Sequence, residues 1–311
     1  LVLLAEVMAS AFAVILIAVM IYAIGRGLLE VLVSPVVEAC PTEHKDKAMS
    51  MLHSFYCWGQ VGVVLISTLF FAVAGTGRWQ ILAVIWAILP LCNAGVFTKV
   101  PIAPLIKEGE SGMRLKELLG NRIFWIIFFM MICAGASEQA VSQWASAFAE
   151  EGLHISKTIG DLAGPMTFAV FMGTSRAFYG KYGEHIHLER FMAGSAFLCI
   201  LSYLGISLLP LPQLSLACCA LCGLSVGIMW PGTFSKASAA LPGGGTALFA
   251  LLALGGDLGC SAGPTVVGFV SGAAGDNLKM GILAGAVFPA VLLMGIVLCE
   301  KNHGNSQRNR A

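Results

Sequence analysis

Residues 11–38 read AFAVILIAVMIYAIGRGLLEVLVSPVVE, and this stretch decides the fold class. Its first fifteen residues carry no charge. The apolar run is longer than the roughly 20 residues a helix needs to cross the hydrocarbon core of a bilayer. The two-residue alternation of a membrane barrel strand is absent. Apart from Glu38 at its end, two charged residues nevertheless lie inside the run, Arg26 and Glu30, four apart and so on one helical face. An ionised group at that depth costs at least about 2.5–3.5 kcal/mol, so such residues face a partner or a cavity.

Outward from this stretch, the same window finds spans at 48–74, 79–100, 121–147, 158–180, 189–210, 213–240, 245–271 and 277–299. Residues 1–9 look like the tail of a further span. Turn signals separate most of them: Pro41, Gly75 to Gly77, Leu209 to Pro212, Pro242 with the three glycines after it, and Gly275 to Asn277. Composition agrees. Of 311 residues 58% are apolar and 11% charged, with a net charge of +1, against about 45–50% and about 25% in soluble domains. That excludes a soluble enzyme, a disordered tail and a nucleic-acid binder with a basic face. No P-loop, dinucleotide or His-x-x-x-His signature is present, so no metal, cofactor or enzymatic activity is expected. The ten cysteines fall mostly within apolar runs and read as packing residues, Cys219 and Cys222 included.

The basic residues orient the chain. Fourteen of the 18 Lys and Arg, Arg176 among them, fall to one set of alternate loops. Arg78, Lys157 and Lys279 fall to the other, and Arg26 lies within a span. The richer side is expected to be cytoplasmic, in the plasma or inner membrane, with the C-terminus inside. The expected organisation is the remainder of an N-terminal helical half at 1–100, a cytoplasmic linker at 101–120, a six-helix half at 121–300 and a cytoplasmic tail at 301–311. A six-span block with both ends inside is one half of a transporter built from repeats. The first block is therefore expected to lack three spans.

Specific motifs add a family. Gly25, Gly27, Glu30, Ser34 and Pro35, followed by Met51-Leu52-His53 and Trp58-Gly59, are joined by Glu138 with Trp144, Gly173 with Arg176 and Tyr179-Gly180, Trp230-Pro231-Gly232, and Gly263-Pro264. Together they resemble the fucose permease-like sugar/proton symporters of the major facilitator superfamily. The resemblance runs from residue 1 to about residue 300. It implies an all-α, polytopic fold lacking about the first three transmembrane helices, and it implies a proton-coupling role for Glu30. Ser34 departs from the family's usual Asn, and His53 from the Gln of the fucose permease.

Other polar residues at membrane depth complete the candidate site. Asp257 lies mid-span, turned about 200° from the small-residue face of Gly255 and Gly259; it is either a buried neutral acid or a second proton carrier. Glu138, Gln139, Gln143 and Trp144 suit a hydroxyl-rich solute, or else interhelical hydrogen bonding with an interfacial Trp. Ser50, His53, Cys57, Gln60 and Ser67 share a stripe that lines a cavity or packs a helix, and from it His53 and Gln60 join the substrate candidates. Trp230 and Pro231 mark a kink suited to gating or simple curvature. Lys236 is expected to snorkel. The expected function is import of a small polar solute, a sugar, by proton symport through alternating access in a monomer within the lipid bilayer. Proton-driven export of amphipathic compounds is the rival reading, and the chain by itself could be inactive.

Overall fold

A computed structural model describes residues 12–105, 112–153 and 156–308. The apolar start at 1–9, Lys107 of the linker and the last three residues of the tail lie outside the described residues. Those described are helical, without a strand. Three long helices come first: α1 (Phe12–Ala39), α2 (Lys45–Ala74) and α3 (Trp79–Phe97). After the linker come short α4 (Leu115–Gly120), then α5 (Arg122–Ser142) and α6 (Ala145–Leu153). Next are α7 (Lys157–Asp161), α8 (Thr167–Tyr182) and α9 (Leu188–Leu208). The chain ends with α10 (Pro212–Val226), α11 (Met229–Ala240), α12 (Gly245–Ala273), α13 (Leu278–Gly285) and α14 (Val287–Arg308).

Eight helical segments among the described residues are long and apolar enough to cross a membrane. They correspond to eight of the nine spans expected from sequence. The ninth, 158–180, is helical but not continuous: a wide π turn at Leu162–Met166 separates α7 from α8. Pro165 lies inside that turn and cannot donate to the helical ladder. Arg176 and Lys181 also lower the apolar character of α8. Turns fall where the punctuation predicted, as at Gly275, which turns with φ 73° after α12. A cap not foreseen from sequence starts α5, where the Asn121 side chain accepts from the Ile123 amide at 2.8 Å.

The tightest contact is between α5 and α12. A Cβ built on Gly259 would lie 1.9 Å from the Ile132 carbonyl oxygen, and one on Gly263 would lie 2.5 Å from that of Ala136. Gly135 faces the Gly256 carbonyl in the same way, at 2.3 Å. In lipid the helices gain little from apolar burial itself, so close backbone approach through small residues supplies the packing. The second junction is between α2 and α8, where Gly173 sits against Cys57 and Gly180 against Met51. Burial is uneven along the chain. In the first three helices 6% of each apolar window is buried, against 33–61% in the five later long segments. Their outer surface, with Ile24 65% and Val73 90% exposed, needs lipid or further protein around it.

Candidate functional site

The site forms where the first three helices meet the later ones. On α1, Arg26, Glu30 and Ser34 repeat every four residues and so share one face. Arg26 Nη2 lies 3.7 Å from Glu30 Oε2, and Ser34 Oγ is 3.4 Å from His53 Nε2 of α2. Across from this face, Asp257 of α12 projects from an exposed position, and its charge acts on both Arg26 and Glu30. Glu30 also feels Glu138. Three carboxylates and two guanidinium groups thus act on one another across the junction, with direct pairing in Arg26–Glu30 and Arg176–Glu138.

The deeper half of this group is a buried ion pair. Glu138 Oε2 accepts from Arg176 Nη2 at 2.9 Å, with side chains 8% and 2% exposed. Arg176 Nε donates to the Gly227 carbonyl at 2.8 Å, and Nη1 donates to the His53 carbonyl at 3.1 Å and to Cys57 Sγ at 3.2 Å. Arg176, counted above with the loop cations, is therefore an interior residue. Its partners come from three other helical segments, and nothing in the local sequence marks them.

The structure separates residues that sequence proximity had grouped. Glu138 turns to Arg176, whereas Trp144 Nε1 donates to the Pro264 carbonyl at 3.3 Å and its ring lies against Gly268. Gln139, one residue past Glu138, points about 100° away from it, and Gln143 is exposed beyond the end of α5. The 50–57 part of the stripe on α2 is a packing face: Ser50 Oγ donates to the Arg176 carbonyl at 2.8 Å, and Cys57 is fully buried. His53 stacks on Phe234, with centroids 5.8 Å apart. Gln60 is half-buried on the same face. Trp230 fits over Gly256 and meets Phe234 edge-on. Lys236 pairs with Glu189 at 3.2 Å.

One residue of the site was overlooked. Tyr56 is 48% exposed, and its hydroxyl lies within the electrostatic reach of Glu138, Arg26 and Arg176. It falls on the His53–Gln60 face, a signal that was available, but an aromatic in an apolar span passes for lipid-facing filler. Among the described residues no group of three or more His, Cys, Asp or Glu could hold a metal ion.

Polar contacts close the linker-side end of the junction. Tyr179 donates to Asp46 Oδ2 at 2.6 Å, Ser238 donates to Glu38 Oε1 at 2.7 Å, and Lys47 pairs with Glu184 at 2.9 Å. The hydrogen bond and charge of Lys47 hold the Glu184 carboxyl below the usual carboxylate range. A lowered acid contributes fully above its ordinary range, and the contribution is lost as pH falls through the lowered value. This contact is therefore expected to persist around neutrality and to loosen only in strong acid. Lys47→Met should speed thiol labelling of Cys57 by a few-fold at neutral pH, as read by peptide mass. Equal labelling of parent and variant would remove this contact from the closure.

A family model described as Major Facilitator Superfamily matches residues 1–264. Among solved structures, the E. coli fucose:proton symporter FucP superposes with a TM-score of 0.77 at 18% identity, over 94% of this chain and 78% of that one. A structure of FucP in the outward conformation gives 0.75 at 18% identity, over 94% and 77%. The human organic anion transporter TETRAN gives 0.72 at 16% identity, over 95% and 74%. No curated protein matches the sequence significantly.

Proposed function

This chain belongs to the Major Facilitator Superfamily, a family of multi-pass membrane transporters, and on that footing we propose that it imports a small polar solute, a sugar, together with a proton. The observation that carries the reading is the charge balance of the junction. Glu30, Asp257 and Glu138 face Arg26 and Arg176, so one carboxylate is left without a matching cation. One proton neutralises the group. In a low-dielectric interior an unmatched charge is expensive, so the loaded and unloaded forms favour different packings of the two bundles. Proton binding is thereby linked to the rocking that exposes the solute to each side.

In this reading the bundles divide at 101–120. The linker and C-terminal tail are cytoplasmic in the cell membrane, and closure at the linker-side end makes this the outward-facing state of a monomer. Glu30, Arg26 and Asp257 handle the proton. Tyr56 and Gln60, with Gln139, Gln143 and Trp144 along the path, offer donors, acceptors and an aromatic face to sugar hydroxyls and ring. His53 and Glu138 shape the pocket floor, and Trp230 with Pro231 forms the bend about which α10 and α11 move.

The test is sugar-dependent proton movement in proteoliposomes carrying the protein. A panel of pentoses and hexoses is added outside without a preset gradient. At least one sugar is expected to make the external medium more alkaline, with about one proton taken up per sugar. If no sugar moved protons while lipophilic cations did, the import reading would give way to export of amphipathic compounds.

A further inference from the structure

Arg176 enters the scheme above only as a counted charge, yet its surroundings are built around it. Helix α10 ends at Val226 and α11 begins at Met229, with Pro231 four residues past Gly227. A proline has no N–H, so the Gly227 carbonyl lacks its helical donor. Arg176 Nε fills that place at 2.8 Å. The same guanidinium caps the His53 carbonyl and Cys57 Sγ on α2 and holds Glu138 on α5. In return Ser50 Oγ of α2 donates to the Arg176 carbonyl at 2.8 Å.

The ionisable groups around Glu138 come from four helices: Arg176 on α8; Tyr56 and Cys57 on α2; Cys260 on α12; and Glu30 on α1. Arg176 is the cation in contact with it. A guanidinium does not give up its proton in proteins. Protonating Glu138 would thus strand a fully buried cation, and an uncompensated buried charge is strongly destabilising. Arg26 is in a different position. It is 59% exposed at the side chain, its bridge to Glu30 is long at 3.7 Å, and Asp257 competes for it.

We propose that Arg176 is a positioning residue: it holds Glu138 ionised and fixed between the two bundles, keeps that acid out of proton traffic, and so leaves a single mobile proton to Glu30 and Asp257. The meaning of this assignment rests on the proton-coupled reading above, but its test does not. The test is infrared spectroscopy of the full chain in lipid nanodiscs, following the protonated-carboxyl stretch across pH. In the parent, no part of that band should belong to Glu138, so Glu138→Gln should remove only carboxylate absorption. Arg176→Gln should create a protonated-carboxyl band at neutral pH, and Arg176→Gln with Glu138→Gln should lose it again. Arg176→Lys, which keeps the charge, should not create the band.

A merely structural arginine would leave the carboxyl spectrum of a folded variant unchanged. Should the single variants not fold, the charge-free double variant compared with the parent still decides whether Glu138 is ionised: the difference should show lost carboxylate and no lost protonated acid. Loss of a protonated-carboxyl band on replacing Glu138 in the parent would overturn the proposal, as would a folded Arg176→Gln protein without the new band. If the parent moved no proton with any sugar, the transport reading would fall while the spectrum still decided the state of Glu138.

Discussion

Replacing Glu30 by glutamine is expected to abolish proton-driven accumulation of the solute while leaving solute exchange across the membrane intact. Glutamine has the shape of a protonated glutamate and cannot ionise. The variant therefore keeps Arg26 permanently released from its bridge on α1, whose open form is already near at hand in a 3.7 Å contact. A carrier locked in its loaded charge state can still rock with solute bound. It has lost the step in which the proton gradient biases that rocking, and a gradient can shift an equilibrium only through a group whose affinity differs between states. Uphill uptake should fall to simple equilibration of solute across the membrane, and counterflow should proceed at a rate close to that of the parent. Radiolabelled uptake and counterflow in the same proteoliposomes measure both. Asp257→Asn serves as the internal comparison: it should shift the pH dependence of uptake and retain accumulation. If Asp257→Asn and not Glu30→Gln abolished accumulation, the two acids would exchange roles; if neither did, the junction would not be the coupling site.

The largest effect on stability is expected from Gly259→Val. The added Cβ would fall 1.9 Å from the Ile132 carbonyl oxygen, 2.8 Å from its carbonyl carbon and 2.9 Å from the Ala136 amide nitrogen. All three are backbone atoms of α5, so no side-chain rotation relieves the clash and the two helices must part. Overpacking a well-packed interior costs about 1–3 kcal/mol even where side chains can adjust, and this site exceeds that range because they cannot. Parting the helices would also open the Gly135–Gly256 and Gly263–Ala136 contacts. Those contacts position both Glu138 and Asp257. The variant should fail to give a monodisperse peak on detergent extraction. The control is Gly272→Ala in the same helix, where an added Cβ meets nothing within 4 Å; its thermal stability should match or slightly exceed that of the parent, since alanine is the better helix former. A Gly259→Val protein as stable as the control would mean that α5 and α12 do not cross as described.

The spans were legible because lipid leaves a chain few options. Backbone polar groups must be satisfied within the segment, so long apolar runs become helices wherever they occur. Their edges were equally readable, since Gly75 and Gly275 act on their own backbone and need no distant partner. Residues 158–180 show the limit of that reading. Hydropathy treats Pro165 as a tolerable interruption, and only the packed structure converts it into a π turn, with the carbonyl of Ala145 pressed against Gly164. The face of α1 that carries Arg26 and Glu30 was also visible, because four-residue spacing is a local property of a helix.

What the sequence by itself determined is therefore the solvent, the helices and the rarity of charge within them. Only the tertiary structure decided which charges meet. Arg176 lies near the end of its helix, where charge counting assigns it to a loop, and its long side chain turns inward because Glu138, 38 residues earlier, and a carbonyl freed by Pro231 lie within reach. Tyr56 entered the site by the same route, whereas Asp257 was visible as a mid-span acid and only its facing Arg26 and Glu30 had to wait for the packed structure. The spacing of residues along one helix is set by covalent geometry and can be read directly. The spacing of residues on different helices is set by how closely the glycines let those helices approach, and that distance exists only once the chain has packed.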